Sequence, residues 1–251
     1  MSDQLKLGYI GLGNMGAPMA KRWLDWPGGL VVFDVRDEAM APFVEAGATK
    51  AAVVAEVADA DLISVTVLND AQVRDVVAEL AAHAKPGTVI AIHSTISDAT
   101  AVELADQLAP KGIHVIDAPV TGGGRAAEQG ELATMVGAPR DVYEKVKPAL
   151  KKWASLVIHA GEPGAGTRMK LARNMLTFTY YAAACEAMKL AEAAGLDLQA
   201  LGRVVRHTEA GTGAGMIMIR EDMSPLQPDN FLYQPFLHAR DLGEKDLTLA
   251  L

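Results

Sequence analysis

The chain has 251 residues, half of them apolar and 22% charged, with 23 basic against 31 acidic side chains and a net charge of -8. That length and composition suit one large or two modest domains with a sizeable core. The acidic balance speaks against general attraction to nucleic acid or an anionic membrane, so an anionic ligand has to be met by local positive groups.

In chain order, short β-branched runs alternate with amphipathic segments, the pattern of a parallel α/β sheet buried on both faces. Strands are expected at Leu7–Ile10, Leu30–Phe33, Leu62–Val67 and Val89–Ile92, at Val115–Ile116, and at Leu132–Val136 and Leu156–His159. Helices are expected over Met15–Leu24, Glu38–Ala46, Ala71–His83, Ala99–Leu108 and Val142–Trp153. After Gly161 the character changes. From Thr167 to Ala194 there is neither glycine nor proline, and Leu171, Met175, Phe178, Ala182, Cys185, Met188 and Ala191 recur every three or four residues, the apolar stripe of a long helix that Gly195 ends. Further helices are expected at Leu198–His207 and from Ala239. The organisation is therefore an N-terminal doubly wound Rossmann-type sheet (1–161) and an all-helical domain (162–251), with Glu162–Gly166 as hinge. The chain stops inside an amphipathic segment, and a longer C-terminus is expected.

Cys185 is the only cysteine, so no intrachain disulfide can form; in its Ala-rich helix it is expected to be a small buried hydrophobe. Residues 1–6 lack the features of a signal peptide and no stretch reaches the roughly 20 apolar residues of a membrane helix, so a cytoplasmic protein is expected. Trp23, Trp26 and Trp153 are spread along the chain and read as packing residues.

Gly11-Leu12-Gly13-Asn14-Met15-Gly16 forms G-x-G-x-x-G between a strand and a helix. The first glycine permits the tight turn, the second lets backbone approach a pyrophosphate, and the third lets helix and strand pack closely. The helix N-terminus offers free N–H groups to the phosphates. Asp34, at the end of the second strand, is placed to accept ribose hydroxyls and repel a 2′-phosphate; Arg36 stands close by. NAD is the expected cofactor, with NADP as the alternative. No metal site is expected.

Three further clusters stand where open α/β sheets bind ligands. Leu68, in Val67-Leu68-Asn69-Asp70, lines a ribose or nicotinamide on one reading; on the other the segment is a helix cap. Thr95, in His93-Ser94-Thr95, can bond the nicotinamide ribose or carboxamide, whereas His93 reads as structural. Thr121-Gly122-Gly123-Gly124 exposes a row of backbone N–H groups, an anion site fit for a carboxylate. Beyond the hinge, Lys170 and Asn174 share one helical face with Arg173 beside them. A lysine in a closed site has a depressed pKa and can exchange a proton near neutrality.

These segments resemble the β-hydroxyacid dehydrogenases, typified by 3-hydroxyisobutyrate dehydrogenase. Gly11–Ala20 looks like their opening, Asp117–Gly123 their substrate segment, Gly161–Asn174 their catalytic segment and Glu244–Leu247 their late lysine motif. The resemblance implies Lys170 as general acid–base, Asn174, Thr121, Gly122 and Gly123 as substrate contacts, and Leu68, Thr95 and Lys245 as cofactor contacts. It implies a homodimer or homotetramer through the helical domain, acting on a small anionic hydroxy acid. Thr121 stands where serine is usual. Arg173 stands where asparagine is frequent, or histidine in the 6-phosphogluconate enzymes, which argues against that substrate and adds a positive charge near the substrate acid. A tartronate-semialdehyde or other aldehyde-acid reductase is the nearest alternative. Lys170 argues against an imine reductase and against a non-catalytic scaffold.

Overall fold

The computed structural model describes residues 5–209, 225–238 and 240–241. Contacts divide the chain into two units, Met1–Met175 and Leu176–Leu251.

The first unit is a nine-stranded sheet flanked by helices. Strands β1 (Leu7–Ile10), β2 (Leu30–Phe33) and β3 (Thr49–Lys50) are joined through α1 (Gly16–Lys21) and α2 (Asp37–Glu45). Strands β4 (Leu62–Val65), β5 (Val89–Ile92) and β6 (His114–Asp117) follow, with α3 (Asp70–His83) and α4 (Asp98–Leu108) between them. The order β3-β2-β1-β4-β5-β6 is parallel throughout, and the chain reverses direction across the sheet at β1/β4. Every residue of β1, β4 and β5 is buried, as expected of strands covered on both faces.

The far edge departs from the parallel pattern. Strand β7 (Val120–Thr121), α5 (Gly123–Gln129), β8 (Leu132–Gly137), α6 (Arg140–Leu150) and β9 (Ala154–Gly161) complete the unit. β8 runs antiparallel to β6 and β7 and parallel to β9. A reversal of this kind needs no long crossover, so α/β periodicity does not announce it. Nor did the sequence suggest α5, because the glycines that open it are poor helix formers.

Two clusters fill the two faces of the sheet. On one, Trp23 and Trp153 are fully buried with Tyr9 and Met19; the Trp23 indole N–H donates to the Ala149 carbonyl at 2.8 Å and the Trp26 indole N–H to that of Leu5. The other joins Ile10, Ile63, Ile90 and Ile92 to Val73, Val77 and Leu80 of α3. His93 belongs to the core, as a structural residue should. Its Nδ1–H donates to the Ala118 carbonyl at 2.8 Å, which leaves Nε2 to accept from the Ser64 hydroxyl at 2.7 Å.

Helix α7 (Ala165–Ala193) begins in the first unit. Its first turns, including Lys170 and Asn174, therefore belong to the sheet unit, and the contact division lies later than the change of sequence character at Gly161. The expected hinge is an anchored turn: Ala138 N–H donates to the Gly161 carbonyl and Ala165 N–H to that of Glu162. In the second unit, α7 is followed by α8 (Leu198–Glu209). Ala191 is buried, but Phe178, Tyr181 and Met188 are exposed, Phe178 to 64%. Cys185 is exposed as well, contrary to expectation, because it lies on this uncovered helix surface. Among the described residues no helix is long and apolar enough to cross a membrane, and no cluster of His, Cys, Asp or Glu is arranged to hold a metal ion.

Candidate active site

The glycine turn links β1 to α1, and each glycine answers a different demand. Gly11 lies at φ +92°, and a Cβ there would run into the Thr66 carbonyl. A Cβ at Gly16 would run into the Gly11 carbonyl, so the turn closes on itself only with glycine at both ends. A Cβ at Gly13 would meet no protein atom within 4 Å. Nothing inside the protein requires glycine there; the open space suits a close external ligand such as a pyrophosphate.

Beside the turn lies a cleft of about 490 Å³, lined among others by Gly11, Gly13, Asn14, Asp34, Arg36 and Leu68. Five residues predicted from the sequence to hold a dinucleotide thus meet in one hollow, and Leu68, 87% exposed, borders it. Asn69 makes the helix cap that the other reading of this segment expects: its side chain accepts the Gln72 N–H at 3.0 Å. Leu12 and Met15 are placed differently. Leu12 is buried in the core with its N–H bound to Asp34, and Met15 packs against the same core.

Asp34 is held on several sides. One carboxylate oxygen accepts the Leu12 N–H at 2.6 Å; the other accepts the Arg36 N–H at 2.9 Å and the Arg36 Nε–H at 3.3 Å. Burial alone would raise its pKa, but these hydrogen bonds outweigh burial and hold the carboxyl below its usual range. A carboxylate offers about four acceptor positions, so one remains for a ribose hydroxyl. Asp75 also lines the cleft, giving two carboxylates to one guanidinium, a balance unfavourable to a further phosphate.

The loops after β4 and β5 are bound to each other. Ser94 Oγ donates to the Val67 carbonyl at 2.7 Å and accepts the Val67 N–H at 2.9 Å. Asp70 accepts from the Thr100 hydroxyl at 2.6 Å and from the Ser97 N–H at 3.1 Å. Thr95 is exposed between the buried Ser94 and Ile96.

Lys170 is only 8% exposed, one turn into α7 beyond the buried Thr167. Burial, aided by the Arg173 charge, holds its pKa below the ordinary lysine value. Asn174, one turn on, is half-buried and Arg173 is exposed. Gly122 at φ +130° and Gly123 at φ +74° turn the chain from β7 into α5, with Thr121 half-buried before them. Asp117, four residues upstream of Thr121, binds the start of α7: its carboxylate accepts the Gly164 N–H at 2.7 Å and the Thr167 N–H at 2.5 Å. Sequence reasoning placed Asp117 in the substrate segment without this role; the signal was a strand-end aspartate paired with a distant Gly-rich helix start. Lys245 lies outside the described residues.

Residues 6–161 match the family model described as the NAD binding domain of 6-phosphogluconate dehydrogenase. Residues 164–251 match that described as the NAD-binding domain of NADP-dependent 3-hydroxyisobutyrate dehydrogenase. The chain is 76% identical to an oxidoreductase of Mycobacterium avium 104 whose crystal structure superposes with a TM-score of 0.93, covering 98% of this chain and 90% of that one. It is 33% identical to the 2-(hydroxymethyl)glutarate dehydrogenase of Eubacterium barkeri, covering 100% of this chain and 83% of the relative. It is 32% identical to Mycobacterium tuberculosis 3-hydroxyisobutyrate dehydrogenase, solved with L-serine, with a TM-score of 0.76 over 84% of this chain and 72% of that one.

Proposed function

Because the chain belongs to the β-hydroxyacid dehydrogenases, oxidoreductases that act on a CH–OH group with NAD(P), we propose that it moves a hydride between NAD and a small β-hydroxy acid such as 3-hydroxyisobutyrate, with Lys170 as general acid–base. The observation that carries this reading is the burial of Lys170 near the start of α7, where no carboxylate pairs with it among the described residues.

Bound nicotinamide supplies the hydride acceptor. In oxidation, neutral Lys170 Nζ takes the proton of the substrate hydroxyl as the carbonyl forms; in reduction, the ammonium returns it to the carbonyl oxygen. Asn174 steadies that oxygen from the next turn. Thr121, Gly122 and Gly123 hold the substrate carboxylate through the hydroxyl and backbone N–H groups, and Arg173 adds positive charge beside it. Gly11, Gly13, Asn14 and Gly16 seat the pyrophosphate, Asp34 the adenosine ribose, and Leu68, Thr95 and Lys245 the remainder of the cofactor. Asp34 and Asp75 around one guanidinium favour NAD over NADP.

The exposed aromatic and apolar side chains of α7, with Phe178 and Tyr181 foremost, support a homo-oligomer joined through the helical domain. The activity is tested by turnover of 3-hydroxyisobutyrate, 2-(hydroxymethyl)glutarate and tartronate semialdehyde, each with NAD and NADP. Turnover of at least one, faster with NAD, is expected. Failure of all of them with both cofactors overturns the reading.

A further inference from the structure

A carboxylate buried to 1% exposure is costly unless its oxygens are well used. Asp117 spends both on one object. Oδ1 accepts the Gly164 N–H and Oδ2 the Thr167 N–H, two of the amides that the start of α7 leaves without helical partners. The negative charge also lies where the helix dipole favours it. Two bonds to opposite oxygens of one strand-end carboxylate restrain the helix start in rotation as well as in position.

The surrounding backbone is equally close. A Cβ at Gly137 of β8 would overlap the Asp117 carboxylate, and one at Gly166 of α7 would meet the carbonyls of Met135 and Asp117. The helix start is thus sunk into the ends of β6 and β8. Outside this seat, Arg168 Nε donates to the Asp98 carboxylate of α4 at 2.8 Å, a second tie on the same turn.

Lys170 follows Thr167 by three residues, and a helical side chain leans back over the preceding turn. Thr121, in β7, follows Asp117, the last residue of β6, by four residues. One carboxylate therefore joins the two segments whose side chains must meet on a substrate. We infer that Asp117 is a positioning residue, which sets the rotation and depth of the Lys170 helix against the strand leading to Thr121–Gly123. This rests on the reading of Lys170 as the acid–base group.

Asp117→Asn tests it. Asparagine keeps the shape but turns an NH2 group toward one of the two amides, so one tie is lost. The expected result is a folded variant that binds NADH within twofold of wild type while kcat falls about tenfold to a hundredfold, as small misplacements at a reacting centre do. In protein with 13C-methylated lysines, the Lys170 resonance, identified by its loss in Lys170→Arg, should titrate at higher pH in the variant as the ammonium gains solvent. In the Lys170→Ala background, Asp117→Asn should cost nothing further, because groups that act as a unit are not additive. A kcat within twofold of wild type, an unmoved Lys170 titration, or an additive loss in the double variant overturns the inference. If Asp117→Asn does not fold, amide exchange of wild type decides: protected Gly164 and Thr167 amides support the cap and freely exchanging ones overturn it. If wild type oxidises no hydroxy acid, the functional reading fails, and the lysine titration still judges Asp117.

Discussion

The Leu12 amide and the Asp34 carboxylate, 22 residues apart, are joined by a hydrogen bond of 2.6 Å. The residue expected to read the cofactor ribose is also a strut of the turn expected to hold its phosphates. Shape and specificity at this end of the cleft are therefore coupled, and substitutions at Asp34 separate the two roles.

Asp34→Asn retains an acceptor for Leu12 but removes the charge that engages Arg36. The kcat/KM for NAD should fall by about tenfold or more, the scale of a hydrogen bond to a charged group. The value for NADP should rise, since the released guanidinium is suited to a 2′-phosphate. Asp34→Ala should in addition lower the melting temperature, because Leu12 loses its acceptor. Steady-state kinetics with both cofactors checks the first effect; an unchanged ratio refutes the selectivity role of Asp34.

Gly13 and Gly16 should respond oppositely to alanine. Gly13→Ala meets only open space, so the apoprotein should melt as wild type does while NAD binding weakens by about tenfold or more, roughly 1.4 kcal/mol. Gly16→Ala collides with the Gly11 carbonyl and should destabilise the fold by about 1–3 kcal/mol. Thermal melts with and without NAD distinguish the two.

Removal of Lys170 as alanine should cost about 10²–10⁴-fold in kcat while leaving NADH affinity intact. In wild type, oxidation needs neutral lysine, so its rate rises with pH through the Lys170 pKa; reduction needs the ammonium, so its rate falls through the same pKa. Burial first, then Arg173, holds that pKa below the ordinary lysine value. Arg173→Gln should therefore move both limbs to higher pH. Near wild-type turnover in Lys170→Ala would remove the lysine from the mechanism.

His93 should make the fold acid-sensitive. Burial pushes its pKa down from 6.5 to about 4, so the unfolded chain binds a proton the folded one refuses. Stability is complete above about pH 6.5 and falls as pH drops toward 4, by roughly 3 kcal/mol. His93→Asn, which can still donate to the Ala118 carbonyl, should flatten the melting-temperature profile in that window. An equally steep profile in the variant would assign the acid lability to other groups.

Much of this protein was legible in one dimension. Leu7–Ile10, Leu30–Phe33 and Val89–Ile92 are strands with the bounds their apolar runs imply, since a strand covered on both faces must be apolar at every position. The glycine spacing, Asp34 and the pairing of Lys170 with Asn174 on one helical face likewise follow from local periodicity, which the chain carries in its order of residues. Contacts between distant segments were not legible. The antiparallel β8, the Asp34–Leu12 strut and the seat of α7 on Asp117 join residues tens of positions apart, and no local pattern encodes which partner a buried carboxylate will find. The apolar stripe of α7 shows the same limit: its period announces a face to be covered, but Phe178 and Cys185 are exposed, because burial depends on what packs against a helix. The order of residues announces a glycine turn followed by a lysine-bearing helix; that Asp117 ties this helix to the end of β6 is legible only in the fold, because folding alone brings the Gly164 and Thr167 amides within reach of one carboxylate.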